Sequence, residues 1–365
     1  MREALGYLVE QVQTARADKT LLDIRGGNTK AFYGGAQQGE VLDTRSLAGI
    51  SSYEPSELVV TVCAGTPLAE LEAALAEKGQ CLPFEPPRWD GLEGAAGTVG
   101  GMVAAGLSGP ARAAVGSVRD YVLGATLLNG RAEVLHFGGT VMKNVAGYDV
   151  SRVLAGSLGT LGVICEVSLK VLPVAPATLT LRLEAEQGAA IRRLNEWGGQ
   201  PLPLNASAWW DGMLVLRLSG ATAAVSAAAK AIGGEPVGAA PASAFWAGLR
   251  DHRDEFFIGA TKAVDAGASL WRLSVPATAA PLKLSGEQLL EWGGAQRWIC
   301  TTAPAKVLRD VAQAAGGHAV LFRSHDKSAG VFAPLAAPLD RIQRDLQRAF
   351  DPDGLFNPAR LGASA

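Results

Sequence analysis

The chain has 365 residues, 48% of them hydrophobic and 19% charged, and its 33 Lys+Arg against 35 Asp+Glu leave a formal charge of −2. That length predicts two to three domains with sizeable cores, and the balance excludes extended disorder. Nucleic-acid binding is also excluded, because no local run clusters the Lys and Arg that phosphate neutralisation needs.

The amino terminus, MREALGYLVEQ, mixes charges into an amphipathic helix and lacks the apolar run and small-residue cleavage site of a secretory signal, so the cytoplasm is expected. ELVVTVCAG (57–65) reads as a buried strand. A helix follows it, with Thr66 as N-cap, Pro67 at the first helical position, Leu68, Leu71 and Leu75 on one face, and Gly79 at its end. The longest uncharged stretch, Gly94 to Ala111, holds six glycines and a proline, which would leave backbone unpaired in lipid, so no direct membrane insertion is expected.

The two prolines of LKVLPVAPA (169–177) mark a boundary. Seven of the eight tryptophans lie beyond it, and the formal charge changes from −4 over residues 1–178 to +2 over 179–365. The second segment alternates strand-like runs (207–220, 269–276, 319–323) with Ala-rich helical runs (221–232, 305–315, 338–350). Asp351-Pro352-Asp353-Gly354 has the pattern of a type I turn and stops the last helix. The division is therefore 1–175, 176–350 and a tail, 351–365, that returns to the first domain.

Three segments couple glycine to Ser or Thr: IRGGNTKAFYGG (24–35), GTVGGMVAAGLSG (97–109) and NVAGYDVSRVLAGSLGTLGVI (144–164). Successive N–H groups in such turns form anion-binding concavities, and the missing Cβ lets main chain approach a diphosphate. Tight turns and close helix packing would use the same glycines. No GxxxxGK[ST] occurs, and Gly94, Gly97 and Gly100 run as GxxGxxG after a proline-broken segment, so neither a phosphate loop nor a Rossmann fingerprint is present. Cys63, Cys81, Cys165 and Cys300 are far apart with no CxxC pair, and read as buried thiols; no metal site is expected.

The order RGGNT, a proline-rich approach to TVGGMVAAGLSG, then NVAGYD and GSLGTLGVI resembles the FAD-binding domain of the vanillyl-alcohol oxidase / p-cresol methylhydroxylase type. The longer strings LPFEPPRW (82–89), GGMVAAGLSGPAR (100–112), 118–164, GGHAVLF (316–322) and FDPDGLFNPARL (350–361) are similar to the FAD-binding E subunits of bacterial glycolate oxidase, or glycolate dehydrogenase. The resemblance implies an α+β fold: a two-subdomain FAD-binding domain followed by a smaller α+β domain that serves as cap or partner-binding domain. It places Arg25, Gly26, Gly27, Asn28 and Thr29 against the FAD diphosphate, with Thr98, Gly100, Gly101, Ser108 and Gly109 along the pyrophosphate and ribityl chain. Gly162, Val163 and Ile164 would meet the adenine or dimethylbenzene end through their backbone, and Asn144, Gly147 and Tyr148 would lie nearer the ring.

Many members of that superfamily attach flavin through a His in the first glycine turn; here Asn28, Thr29 and Lys30 follow Arg25-Gly26-Gly27, so FAD is expected to bind noncovalently. The histidine-rich substrate-metal motif of related 2-hydroxyacid dehydrogenases has no counterpart. Oxidising a hydroxy acid requires a base, a cation for the carboxylate and a hydride acceptor. Lys143, His318 and Arg323 are the catalytic candidates, each with an alternative reading as a solvated cap or a strand end, and Asn357 ends a turn near the flavin or simply caps the tail.

Two functions follow. In one, the chain takes part in dehydrogenating glycolate or a similar small hydroxy acid. In the other, it is a non-catalytic FAD-binding relay or structural subunit whose homologous partner oxidises the substrate. The implied partners are a larger homologous flavoprotein subunit and an iron–sulfur subunit passing electrons to quinone, with the inner membrane reached only through them. Trp209, Trp210 and Trp246 are candidate interface anchors, core packing being the alternative.

Overall fold

The structure is a computed structural model that describes residues 2–91, 94–140 and 149–362. Its first helix, Arg2–Asp18, turns Leu8, Val12 and Ala15 inward onto one stripe. They pack with Leu22, Leu42, Leu128, Val163, Leu355 and Phe356, which joins the start of the chain to its end. Strand Leu22–Arg25 runs parallel to Glu40–Asp43. On its other side the Leu22 amide donates to the Leu355 carbonyl at 2.8 Å and the Asn357 amide donates to the Leu22 carbonyl at 2.9 Å, so the tail is tied to the first strand.

A five-stranded antiparallel sheet follows in the order Ile50–Glu54, Val59–Cys63, Val163–Lys170, Val122–Leu128, Val134–Gly138. Helix Leu68–Ala76 buries Leu68, Leu71 and Leu75 against it as the periodicity predicts. Its start differs from the expected cap. Pro67 is the N-cap, and Thr66 instead donates its hydroxyl to the Cys63 carbonyl at 2.7 Å and accepts the Gly49 amide at 2.9 Å, a β-turn use of a side chain expected to cap the helix.

The second sheet has eight antiparallel strands in the order Glu235–Val237, Ala177–Glu184, Met213–Gly220, Leu204–Trp210, Glu287–Glu291, Gln296–Thr301, Ser269–Ser274, His318–Arg323. The run 207–220 is a hairpin rather than one strand: Asp211 (φ 46°) and Gly212 (φ 78°) form the two-residue turn with positive φ that suits the strands' twist. Helices Thr222–Ile232 and Ala305–Ala314 fall where the Ala-rich runs placed them.

One aromatic cluster joins the N-terminal half of the chain to the second sheet: Tyr33, Trp89, Leu107 and Leu158, all outside the first sheet's strands, pack with Trp246, Phe256 and Phe257 from two helices and with Trp298 and Phe322 from the second sheet. The last helix, Ala337–Phe350, lies within the sequence span assigned to the second domain, and its C-terminal end packs on the first: the Gly130 amide donates to the Phe350 carbonyl at 3.0 Å, and the Phe137 and Phe350 rings meet edge-on at 5.9 Å. No helix among the described residues is long and apolar enough to cross a membrane.

Candidate functional site

Strand Leu22–Arg25 delivers the chain into the turn Gly26–Lys30, where Asn28 adopts φ 51°. This turn lies directly against residues 96–101. A Cβ on Gly27 would sit 1.8 Å from the Ala96 carbonyl oxygen, and one on Gly26 would sit 2.3 Å from Thr98 Oγ1, so only glycine allows the approach. Helix Val99–Ala105 begins at the second segment, with Thr98 Oγ1 accepting the Gly101 amide at 3.2 Å and the Gly100 amide donating to the Ala64 carbonyl at 2.7 Å.

Between these segments and the turn at Leu158–Gly162 opens a pocket. Its polar wall is the backbone of Arg25 to Lys30 with Thr98, Gly100 and Gly101; its apolar wall is Ala104, Ala105, Leu158 and Ile164. Among the described residues, no protein acceptor takes the amides of Gly26, Gly27, Asn28, Thr29 or Lys30. Uncommitted N–H groups along a pocket wall form an acceptor-seeking concavity suited to an anion.

The wall is held from two directions. Asp23, buried, accepts Arg25 Nε at 2.6 Å, and Gln37 Nε2 donates to Asn28 Oδ1 at 2.9 Å and to Asp23 Oδ1 at 3.3 Å. From the tail, Asn357 Oδ1 accepts the Ile24 amide at 2.7 Å while its Nδ2 donates to the Leu158 carbonyl at 2.6 Å. Arg360, also buried, donates to the carbonyls of Lys30, Ala31, Tyr33 and Gly35. Burial pushes the Lys30 ammonium down to about 8.

Arg25, Gly26, Gly27, Asn28, Thr29, Thr98, Gly100, Gly101, Gly162 and Ile164 therefore line one pocket. Ser108, Gly109 and Val163 do not. Ser108 Oγ accepts the Val118 amide at 3.3 Å, and the Gly109 carbonyl accepts Trp292 Nε1 at 3.1 Å, so this stretch serves contacts beyond the helix end. Val163 follows strand alternation and points into the core with Leu8 and Leu22, opposite to Ile164's side. Asn144, Gly147, Tyr148 and Lys143 lie outside the described residues.

The other catalytic candidates stand apart from the pocket lining. His318 is exposed on a larger cleft behind the 156–160 turn, its imidazole held below its ordinary value by burial and by Arg272. Arg323 stacks its guanidinium 3.9 Å from the Phe32 ring. His252, on the helix end at φ 56°, stacks on Phe257 at 3.7 Å, and burial together with Arg323 and Arg272 holds it neutral. Trp246 is buried, with Nε1 donating to Thr180 Oγ1 at 2.9 Å, so the interface-anchor reading gives way to core packing there. Trp209 and Trp210 are half-buried, donating to the Ala185 carbonyl and to Glu287. No group of three His, Cys, Asp or Glu among the described residues could hold a metal.

Asn357 stands at the pocket, in keeping with the reading of a turn near the flavin, whereas Lys30, Arg360 and Gly159 line it without a role in the sequence pattern. Lys30 could have been found from its place directly after RGGNT; Arg360 has no local signal, because its partners are about 330 residues away in the chain.

Two opposed glycine segments across one pocket suit a nucleotide-bearing cofactor, and the FAD binding domain family model matches residues 6–138, which makes this an FAD-binding protein. The whole chain superposes on alkyldihydroxyacetonephosphate synthase with a TM-score of 0.67 at 15% identity, covering 96% of this chain and 74% of that one. The glycolate oxidase subunit GlcE of Escherichia coli is 47% identical over 356 residues, 98% of this chain and 97% of that protein, and the chain belongs to its family of flavoprotein oxidoreductase subunits. A D-lactate dehydrogenase of Anaerostipes hadrus is 32% identical over 148 residues, 40% of this chain and 30% of that protein. The pocket's lining is compatible with that cofactor: its open amides would suit a diphosphate, and Ala104, Ala105, Leu158 and Ile164 would offer an apolar surface to a ring.

Proposed function

We propose that this chain is the FAD-binding subunit of a glycolate dehydrogenase complex and takes part in the oxidation of glycolate to glyoxylate. The carrying observation is the row of acceptor-free amides from Gly26 to Lys30, facing Thr98 and Gly101 across the pocket. These residues bind and orient the diphosphate, and the apolar wall keeps water from the ring. Bound FAD supplies the two-electron acceptor for the hydride lost from the substrate carbon, while the hydroxyl proton leaves to a base. The attachment is noncovalent, since no histidine stands in the Arg25–Lys30 turn. The electrons leave through a larger homologous flavoprotein and an iron–sulfur subunit towards quinone, and any membrane contact is theirs.

One observation favours the relay reading within that complex. His136, His252, His318 and His325 all lie off the pocket lining, so among the described residues no imidazole base faces the flavin site. A relay subunit holds FAD in this pocket and leaves proton abstraction to its partner. Anaerobic addition of glycolate to the isolated chain decides between the two: bleaching of the flavin spectrum makes this chain the dehydrogenase, and bleaching only when the partner subunits are present makes it the relay. A chain that binds no flavin, alone or in complex, would overturn both.

A further inference from the structure

Three basic side chains line the pocket, and two are committed. Arg25 is paired with Asp23 at 2.6 Å, and Arg360 spends its guanidinium on the carbonyls of the 30–35 turn. Lys30 differs. Its ammonium has no carboxylate partner among the described residues; Nζ touches Thr29 Oγ1 at 3.2 Å and lies 5.6 Å from the Trp89 ring centroid. It also faces Gly97, where an added Cβ would come within 3.7 Å of Nζ. The cation thus stands in the gap between the two glycine segments, beside the amides that lack acceptors.

A half-buried cation that has lost much of its hydration and has no anion is costly, and a net charge of −4 over residues 1–178 repels a dianion unless a local charge compensates. We propose that Lys30 is the counter-cation of the FAD diphosphate, completing with its ammonium the concavity that the Gly26–Lys30 amides begin. This deepens the FAD reading of the same pocket and rests on it. Salt-bridging to a phosphate oxygen replaces the hydration that burial removes from the ammonium.

The ionisation state supports the assignment and makes it measurable. With Lys30 at about 8 before FAD arrives, and its value raised once a dianion sits beside it, binding above pH 8 must take up a proton. The other charged groups facing the pocket are Asp23, Arg25 and Arg360; the guanidinium groups stay protonated throughout, and Asp23 is held against Arg25.

The test uses the full chain stripped of flavin and titrated with FAD. Lys30→Met should weaken FAD about 10- to 100-fold, the loss expected for one charged hydrogen bond. Lys30→Arg should recover most of that loss. The melting temperature of the flavin-free Lys30→Met chain should be unchanged or higher, because an unpaired buried charge has gone; a merely structural lysine would lower it. Calorimetry at pH 9 in two buffers of different ionisation enthalpy should show uptake approaching ~0.9 proton per FAD in the unmodified chain and none in Lys30→Met.

FAD affinity within twofold of the unmodified chain in Lys30→Met, equal losses in Lys30→Met and Lys30→Arg, or no proton uptake by the unmodified chain at pH 9 would each overturn the assignment. The last needs no variant to fold. An unmodified chain that binds no FAD at all would instead overturn the cofactor reading of the pocket, so the two failures are distinguishable.

Discussion

Where the pocket brings chain segments together it dispenses with side chains, whereas the cluster around Trp298 and Phe322 packs rings on rings. Gly26 and Gly27 set backbone against Thr98 and Ala96 with no room for a methyl group. Across the chain, Trp298 meets Phe322 edge-on at 4.8 Å and Phe257 at 5.2 Å, and Trp89 closes on Phe32 at 5.2 Å. The polar groups differ in the same sense. In the turn, amides are left uncommitted; around Glu291 the side-chain donors are consumed, with Trp298 Nε1 and Gln296 Nε2 both donating to Glu291 Oε2 at 2.6 and 2.9 Å, and Arg297 donating to the carbonyls of Gly294, Ala279 and Ala280. Backbone exposed to a void binds ligands, and filled, satisfied packing holds a geometry still.

The sharpest way to break that contrast is to put side chains into the first region. Gly27→Val should abolish flavin binding and destabilise the fold, since its Cβ would overlap the Ala96 carbonyl oxygen at 1.8 Å. Gly101→Val should separate the two effects, because its Cβ meets only Thr98 Oγ1, at 3.2 Å: the chain should fold, by circular dichroism, and fail to retain FAD. A folded Gly101→Val chain with full flavin occupancy would show that the pocket lies elsewhere.

Arg360→Ala should come next, costing about 2–4 kcal/mol by leaving the carbonyls of the 30–35 turn unmet, and it should loosen FAD with the turn; denaturant melts with and without flavin check both.

In the second region the largest response should be to pH. Burial pushes the Glu291 carboxyl up to about 7, against an ordinary 4.5. The folded chain therefore holds a proton there that the unfolded chain releases, so this group lowers stability progressively as pH rises from about 4.5 to 7, and the loss is complete above the folded value. Glu291→Gln should be more stable than the unmodified chain by about 2–3 kcal/mol at pH 8 and no more stable at pH 4, with flavin binding unchanged. Equal stabilisation at both values would mean that packing rather than ionisation is responsible.

The smallest effect should come from Trp246→Phe, which removes the bond to Thr180 and shrinks the ring face beneath Arg217, 4.9 Å away, at about 1–2 kcal/mol. An interface anchor would behave oppositely, leaving the isolated chain's melting temperature alone and releasing a partner.

Local pattern was enough for much of the fold. Leu68, Leu71 and Leu75 are spaced for one helix face and occupy it, and Asp351 to Gly354 stop the helix that ends at Phe350. The run 207–220 reads as one strand because Asp211-Gly212 is short, although a two-residue turn of that composition is a local signal for the hairpin the structure forms there. A motif read as a string places Val163 with Gly162 and Ile164, whereas a strand sends neighbours to opposite faces.

Glycine placement by itself marked Gly26, Gly27, Gly100 and Gly101 as points where backbone can come close to backbone or to an anion, because glycine carries no Cβ. Only the tertiary structure decided which cations serve the pocket. Arg25 is spent on a carboxylate two residues away and Arg360 on carbonyls brought from the opposite end of the chain, while Lys30, adjacent in sequence to both Thr29 and an ordinary-looking loop, is left facing the void. The physical reason is that a charge is committed or uncommitted through partners in space, and long-range contacts that distribute those partners carry no trace in the spacing of the residues themselves.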